Sequence, residues 1–142
     1  MRIRALGSIT PHRTSPQLRA VCDTVMGDDG VGLYVPKELV PIYKNEVIPV
    51  ADILTPNAYE AGQLTGIDIH TKEDAVKALA ELHSISGMSV SAHAWLRPGA
   101  KTVVITSAVL DEDRDHIYLF ASNKADSQQF YVPIPLLKVR TQ

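Results

Sequence analysis

Between Val50 and Gly66 the hydrophobic pattern changes period within three residues. Val50 to Leu54 (VADIL) reads as a buried strand, Thr55-Pro56-Asn57 closes it, and Asn57 caps a helical pattern running through Leu64 to Gly66. A strand that turns directly into a helix commits the chain to packing that helix back on a sheet, which favours a parallel next strand. The flanking segments fit this frame. Ala20 to Met26 (AVCDTVM) predicts a strand ending in the turn Gly27-Asp28-Asp29-Gly30. Pro36 to Glu38 predicts a helix start, kept short or irregular by Pro41. Thr71-Lys72-Glu73-Asp74 has the form of a capping box, and Ala75, Ala78, Leu79 and Leu82 recur at helical spacing to about Ile85. Thr102 to Thr106, His116 to Ala121 and Gln129 to Ile134 predict three more strands, the last two flanking a polar turn at Asn123 to Ser127. The expected class is α/β, with a mostly parallel sheet and flanking helices.

Composition narrows the function. The 142 residues make about one domain, and 45% hydrophobic with 21% charged residues supply a core without a bias toward disorder. Fourteen basic against 16 acidic residues (net −2) and 6% aromatics argue against a nucleic-acid partner. The single cysteine, Cys22, forms no internal disulfide, and no histidine stands at zinc-ligand spacing from it. No apolar run is long enough for a membrane span, and the expected location is the cytosol. Charge is uneven: Arg2, Arg4, Arg13 and Arg19 precede the first acid, Asp23, leaving 10 basic and 16 acidic residues, net −6, on the remainder. Residues 1–20 therefore read as a disordered leader, with organellar targeting as the alternative.

In a parallel α/β sheet, ligands collect at the carboxyl ends of strands. Three polar clusters fall there: Asp23 with Asp28 and Asp29, Thr55-Pro56-Asn57 with Glu60, and Thr106-Ser107. Their oxygens suit Mg²⁺, and hydroxyls at a strand end suit phosphate. The same residues also make an ordinary turn, an ordinary cap and an ordinary strand terminus. Gly27, Gly30 and Gly32 match neither a P-loop nor G-x-G-x-x-G. Ser84, Ser86, Ser89 and Ser91, read as a loop near His83 and His93, have no nucleophile elbow.

Taken in order, Val21 to Asp28 (VCDTVMGD), Tyr34 to Gly66 (YVPKELVPIYKNEVIPVADILTPNAYEAGQLTG) and Thr102 to Ser107 (TVVITS) closely resemble the pyridoxal kinases of the ribokinase-like superfamily. The T-P-N-x-x-E element is shared across that superfamily. The V-P-x-E-L-V-P-x-Y segment is specific to pyridoxal kinases and disfavours a hydroxymethylpyrimidine or sugar substrate. The resemblance implies transfer of the ATP γ-phosphate to the 5′-hydroxymethyl group of pyridoxal, pyridoxine or pyridoxamine, in pyridoxal 5′-phosphate salvage. It implies ATP contacts at Asp23, Asn57, Glu60, Thr106 and Ser107. Cation contacts are implied at Asp28, Thr55, Glu60 and Thr106, for Mg²⁺ and a monovalent cation (K⁺ or Na⁺). It also implies a homodimer, or association with a full-length kinase.

Three departures accompany the match. The family's catalytic Asp, in a G-T-G-D motif at a helix N-terminus, has no counterpart, so no catalytic residue is assigned. Residues 1–20 match nothing in the family's N-terminal half, and Thr24 replaces the usual Pro. Ser86 to Gly99 forms an expected loop far longer than such a connection needs. It reads as a lid or as translated non-coding sequence in an alternatively spliced product. The expected organisation is thus a leader over 1–20, a partial kinase domain over 21–135 with an atypical loop at 86–99, and a tail over 136–142. Alternative roles are a non-catalytic ATP/Mg²⁺-binding or dimerising module and a fragment that does not fold alone.

Overall fold

The computed structural model describes residues 19–87 and 99–137. Strands β1 (Val21–Cys22), β4 (Ile53–Leu54), β5 (Thr102–Leu110), β6 (Asp113–Asn123) and β7 (Gln128–Pro135) form one sheet in that spatial order. A separate two-stranded hairpin joins β2 (Gly27–Asp28) to β3 (Gly32–Leu33). Helices α1 (Leu39–Ile42), α2 (Ala58–Thr65) and α3 (Lys72–Gly87) complete the fold, with a π-helical turn at Tyr43–Val47 and a 3₁₀ turn at Ile48–Val50.

The sheet is mixed. β1, β4 and β5 run parallel, with Val21 opposite Ile53 and Leu54 opposite Val103. Here strand and helix alternate in the sequence, as the α/β reading expects. β5, β6 and β7 are antiparallel, because the turns at 111–112 and 124–127 are too short for a crossover. Asp52 aligns the parallel strands at their start. Its carboxylate accepts from the Ala20 amide (2.7 Å), its amide donates to the Ala20 carbonyl (2.8 Å), and its carbonyl accepts from the Lys101 amide (3.0 Å).

Two strands are shorter than the sequence predicts. β1 stops at Cys22 because Thr24 and Met26 direct their donors to Glu60 instead of a neighbouring strand. β4 holds only Ile53 and Leu54, since Pro49 belongs to the 3₁₀ turn and Pro56, with no N–H, follows the strand. The later strands are longer than predicted, β5 reaching Leu110 and β6 spanning Asp113–Asn123.

α3 carries the core. Thr71 Oγ1 accepts from the Asp74 amide (3.2 Å) and the Asp74 carboxylate accepts from the Thr71 amide (3.0 Å), the reciprocal pair that the capping box requires. Ala75, Ala78, Leu79 and Leu82 are all buried, against partners that include Leu54, Val103 and Ile105. The helix continues to Gly87, so Ser84 and Ser86 lie on α3 with His83 and not in the expected loop. The buried side of the helix runs through Ile85, where the apolar stripe is expected to end, to the buried Ser86. His83 then bridges to the sheet. Its Nδ1–H donates to the Ala100 carbonyl (3.0 Å), and Nε2 accepts from the Ser122 hydroxyl (2.5 Å). Residues 1–18, 88–98 and 138–142, which hold nearly all of the expected leader, most of the 86–99 segment and most of the tail, lie outside the described residues.

A polar cluster closes the β5–β6 turn. The Tyr118 hydroxyl donates to Asp113 Oδ2 (2.7 Å) and His116 Nδ1 lies 2.9 Å from the same oxygen. The Tyr118 hydrogen bond, then that of His116, holds the Asp113 carboxyl below its ordinary range. The Asp113 hydrogen bond in turn pushes the Tyr118 phenol up to about 12.

Two tests follow from this packing. Leu82→Ala lowers stability by about 2–5 kcal/mol, while Val76→Ala on the exposed face of α3 stays within about 0.5 kcal/mol, both read from urea unfolding. Because the folded-state pKa of Asp113 is depressed, its stabilisation is present above the ordinary carboxyl value and is lost as pH falls through the lowered one. Asp113→Asn therefore flattens the acid limb of the stability profile, and absorbance titration shows Tyr118 ionising at a lower pH than in the parent.

Candidate functional site

β1 and β4 end side by side at Cys22 and Leu54, in parallel register, next to the middle of β5; because β5 continues to Leu110, Thr106 and Ser107 lie inside that strand and not at the strand terminus the sequence predicts. The Thr106 amide donates to the Pro56 carbonyl (3.0 Å) and the Thr55 amide to the Cys22 carbonyl (3.0 Å), tying the turn after β4 to β5 on one side and β1 on the other. A cavity of about 200 Å³ opens there, lined by Asp23, Val25, Gly27, Asp28, Tyr34, Thr55, Asn57, Glu60 and Thr106. Three clusters distant in sequence thus meet in one place. Ser107, which follows Thr106 where the β5–β6 register shifts, stands outside this lining.

α2 organises the cavity from its first turn. Asn57 is the N-cap: its Oδ1 accepts from the Glu60 amide (2.8 Å), and the Glu60 carboxylate accepts from the Asn57 amide (3.0 Å), a complete capping box. Gly66, in the left-handed conformation at φ +75°, closes the helix. The other half of the Asn57 side chain faces the hairpin, its Nδ2 donating to the Gly27 carbonyl (2.8 Å).

Glu60 is 3% exposed and carries the densest set of contacts. Besides the Asn57 amide, its carboxylate accepts from the Thr24 hydroxyl (2.7 Å), the Met26 amide (2.6 Å) and, at 3.4 Å, the Gly27 amide. These donors hold the charge in place of water, so Glu60 ties the segment after β1 to α2. Thr24, where the resemblance leads one to expect proline, supplies a hydroxyl to that carboxylate and is fully buried. Between Thr24 and Met26, Val25 adopts φ +24°, rare for a β-branched residue, where the chain turns so that both neighbours reach Glu60.

The cavity's remaining oxygen groups differ in kind. Asp23 and Asp28 are exposed carboxylates, and Asp28 Oδ1 also accepts from the Asp29 amide (2.8 Å). Thr55 Oγ1 makes only a long contact with the Cys22 carbonyl, at 3.5 Å. Desolvation first, then the Asp28 and Glu60 carboxylates, pushes the Tyr34 phenol up and keeps it an O–H donor. Burial, then Asp23 and Glu60, pushes the Cys22 thiol up, which disfavours a thiolate nucleophile there. No group of three or more His, Cys, Asp or Glu side chains is placed to hold a metal among the described residues. The donor set fits Mg²⁺ nonetheless, since that ion takes one or two carboxylates and completes its shell with water and substrate phosphates.

Sequence reasoning missed Val25, Gly27 and Tyr34 as lining residues, although all three lie in the quoted V-C-D-T-V-M-G-D and Y-V-P segments. The signal was the hairpin itself: Gly30 and Gly32, at φ +78° and +88°, fold the chain back and bring Tyr34 to Asp28. Thr24→Val keeps the side chain's shape but removes one donor from Glu60, and lowers stability by roughly 1.5–3 kcal/mol in urea unfolding, with Thr24→Ser restoring most of it.

Comparison with known proteins gives this site a context. Residues 8–131 match the sequence profile of a family described as phosphomethylpyrimidine kinase. A bovine pyridoxal kinase is 47% identical over 110 residues, which cover 75% of this chain and 31% of that protein. A putative pyridoxal kinase of Caenorhabditis elegans is 51% identical over 89 residues, 63% of this chain and 23% of that one. The solved structure of Leishmania donovani pyridoxal kinase in complex with ADP and pyridoxamine superposes with a TM-score of 0.68 at 29% identity, over 85% of this chain and 38% of that one. The chain thus spans about a third or less of the length of the curated relatives it matches. With the family profile matched over most of its length, and parallel strands, flanking helices and the capped T-P-N-x-x-E turn in place, this chain belongs to the phosphomethylpyrimidine kinase family.

Proposed function

We propose that the cavity binds a nucleoside triphosphate with Mg²⁺, and that the chain serves ATP-dependent phosphorylation of the 5′-hydroxymethyl group of pyridoxal and its vitamers. One observation carries the reading. The capped N-terminus of α2 stands at the carboxyl ends of the parallel strands β1 and β4, with Thr106 of β5 and the carboxylates of Asp23 and Asp28 beside it. A helix N-terminus offers backbone donors and positive potential to phosphate oxygens, and phosphoryl transfer depends mainly on positioning and charge neutralisation. The ADP and pyridoxamine bound to the Leishmania donovani enzyme support the same assignment.

In this reading Asp23 and Thr106 face the nucleotide, with Ser107 the next residue of that strand. Asp28, Thr55 and Thr106 hold the cation side, where Mg²⁺ neutralises phosphate charge and a monovalent ion assists. Asn57 and Glu60 serve through placement, since their side chains are engaged with the backbone of Asn57, Met26, Gly27 and Glu60 itself. No residue of this chain is assigned as the base that takes the substrate hydroxyl proton. Association with a second copy or a full-length kinase belongs to the same reading. It is supported by β7, whose residues are all exposed and include Phe130, Tyr131, Val132 and Ile134. A cytosolic location is the accompanying proposal, supported by the lone cysteine.

Isothermal titration of Mg²⁺-ATP into the purified chain tests the site, beside an assay for pyridoxal 5′-phosphate. Asp28→Asn, on an exposed residue outside the Glu60 contacts, weakens binding about tenfold, the loss of one charge-assisted contact. Binding without turnover selects the non-catalytic module. No binding, or binding indifferent to Asp28, overturns the assignment.

A further inference from the structure

Three side chains of the first turn of α2 reach the β2–β3 hairpin, and they do so by different means. Asn57 and Glu60 use hydrogen bonds to the backbone of Gly27. Tyr59 uses its ring. A Cβ at Gly27 would stand 2.7 Å from Tyr59 Cε1, 2.5 Å from the Gly32 carbonyl oxygen and 3.0 Å from Leu33 Cα. The ring therefore fills the space that a side chain at Gly27 would occupy. Its hydroxyl reaches across to the other strand, 3.9 Å from where a Cβ on Gly32 would be. The residue after Gly27 is Asp28, which lines the cavity with Asn57, Glu60 and Thr106.

We infer that Tyr59 is a positioning residue: its ring backs the β2–β3 hairpin in the place a Gly27 side chain would take and sets where Asp28 stands in the cavity. This rests on the Mg²⁺-nucleotide reading for its functional consequence, and on the contacts alone for its structural one. Hydrogen bonds to Gly27 fix one strand of the hairpin at its base. The Tyr59 ring lies against Gly27 and its hydroxyl approaches Gly32, so it supports the second strand of the hairpin as well as the one that Asn57 and Glu60 bind. Glycine at position 27 is then a matter of fit, because any larger residue displaces the ring or the Gly32 carbonyl.

The test uses the whole chain and two variants, Tyr59→Ala and Tyr59→Phe. Hydrogen exchange reads the hairpin through the amides of Val31 and Tyr34, which donate to the Asp28 and Met26 carbonyls. In Tyr59→Ala these two amides exchange faster while those of α3 and β5 keep their protection. Mg²⁺-dependent ADP binding weakens by roughly 10- to 100-fold, as expected when a side chain supporting a metal ligand is lost, and ADP binding in chelator is unchanged. Tyr59→Phe, which keeps the ring, restores both. Hairpin protection equal to the parent's overturns the inference, and so does faster exchange throughout α3 and β5, which would make Tyr59 a general packing residue. If the parent itself shows no Mg²⁺-dependent ADP binding, the nucleotide reading fails, and the exchange pattern still decides whether Tyr59 holds the hairpin.

Discussion

The buried carboxylate of Glu60 is the contact on which the site depends. Removing a carboxylate from water costs several kcal/mol unless donors replace the lost hydration. Here the replacements come from the Asn57, Met26 and Gly27 amides and the Thr24 hydroxyl. Meeting that requirement ends β1 early, turns Val25 into a rare backbone conformation, and brings the hairpin carrying Asp28 against α2. One side chain thus decides where a strand stops, how a helix begins and which groups share a cavity.

The sheet supplies the frame in two halves. Where strands alternate with helices they are parallel, so β1 and β4 end side by side next to Thr106, midway along β5, and the cavity forms there. Asp52 sets the register at the opposite ends, since its side chain, amide and carbonyl all bind the neighbouring strands' starts. β5 belongs to both halves. Its first residues pair in parallel with β4, and Thr106 reaches the cavity, while on its other edge it pairs antiparallel with β6 from Thr102 to Leu110, with register shifts after Ile105 and Ala108. α3 fastens this joint from one side, through Leu79 and Leu82 in the core and His83 bridging Ala100 and Ser122.

Much of the fold was legible in local chemistry. Asn57 and Thr71 cap the helices that their sequences announce, and Ala75, Ala78, Leu79 and Leu82 face the core as their spacing requires. Pro41 makes α1 short, passing into a π-helical turn. The strands were less legible, because their limits depend on partners elsewhere. Val50 and Ala51 have strand-like composition, yet the 3₁₀ turn around Pro49 takes Val50 before β4 can begin. Cys22 to Met26 read as a continuing strand because the acceptor that draws Thr24 and Met26 away lies 34 to 36 residues further on. The same distance hid Tyr34 and Tyr59 from a reading of clusters: neither is adjacent in sequence to the groups it meets.

The sequence by itself determined the helices, their caps and the polar residues that follow β1 and β4, because capping, hydrophobic period and turn chemistry act within a few neighbouring residues. Only the tertiary structure decided that Asp23, Asp28, Thr55, Asn57 and Thr106 line one cavity while Ser107 does not. It alone gave Glu60 the work of an anchor and gave Thr24 a partner. Such assignments depend on which strand ends lie side by side and on which donors a buried charge can reach. Those quantities are fixed by packing across the sheet, and no local pattern in the chain encodes them.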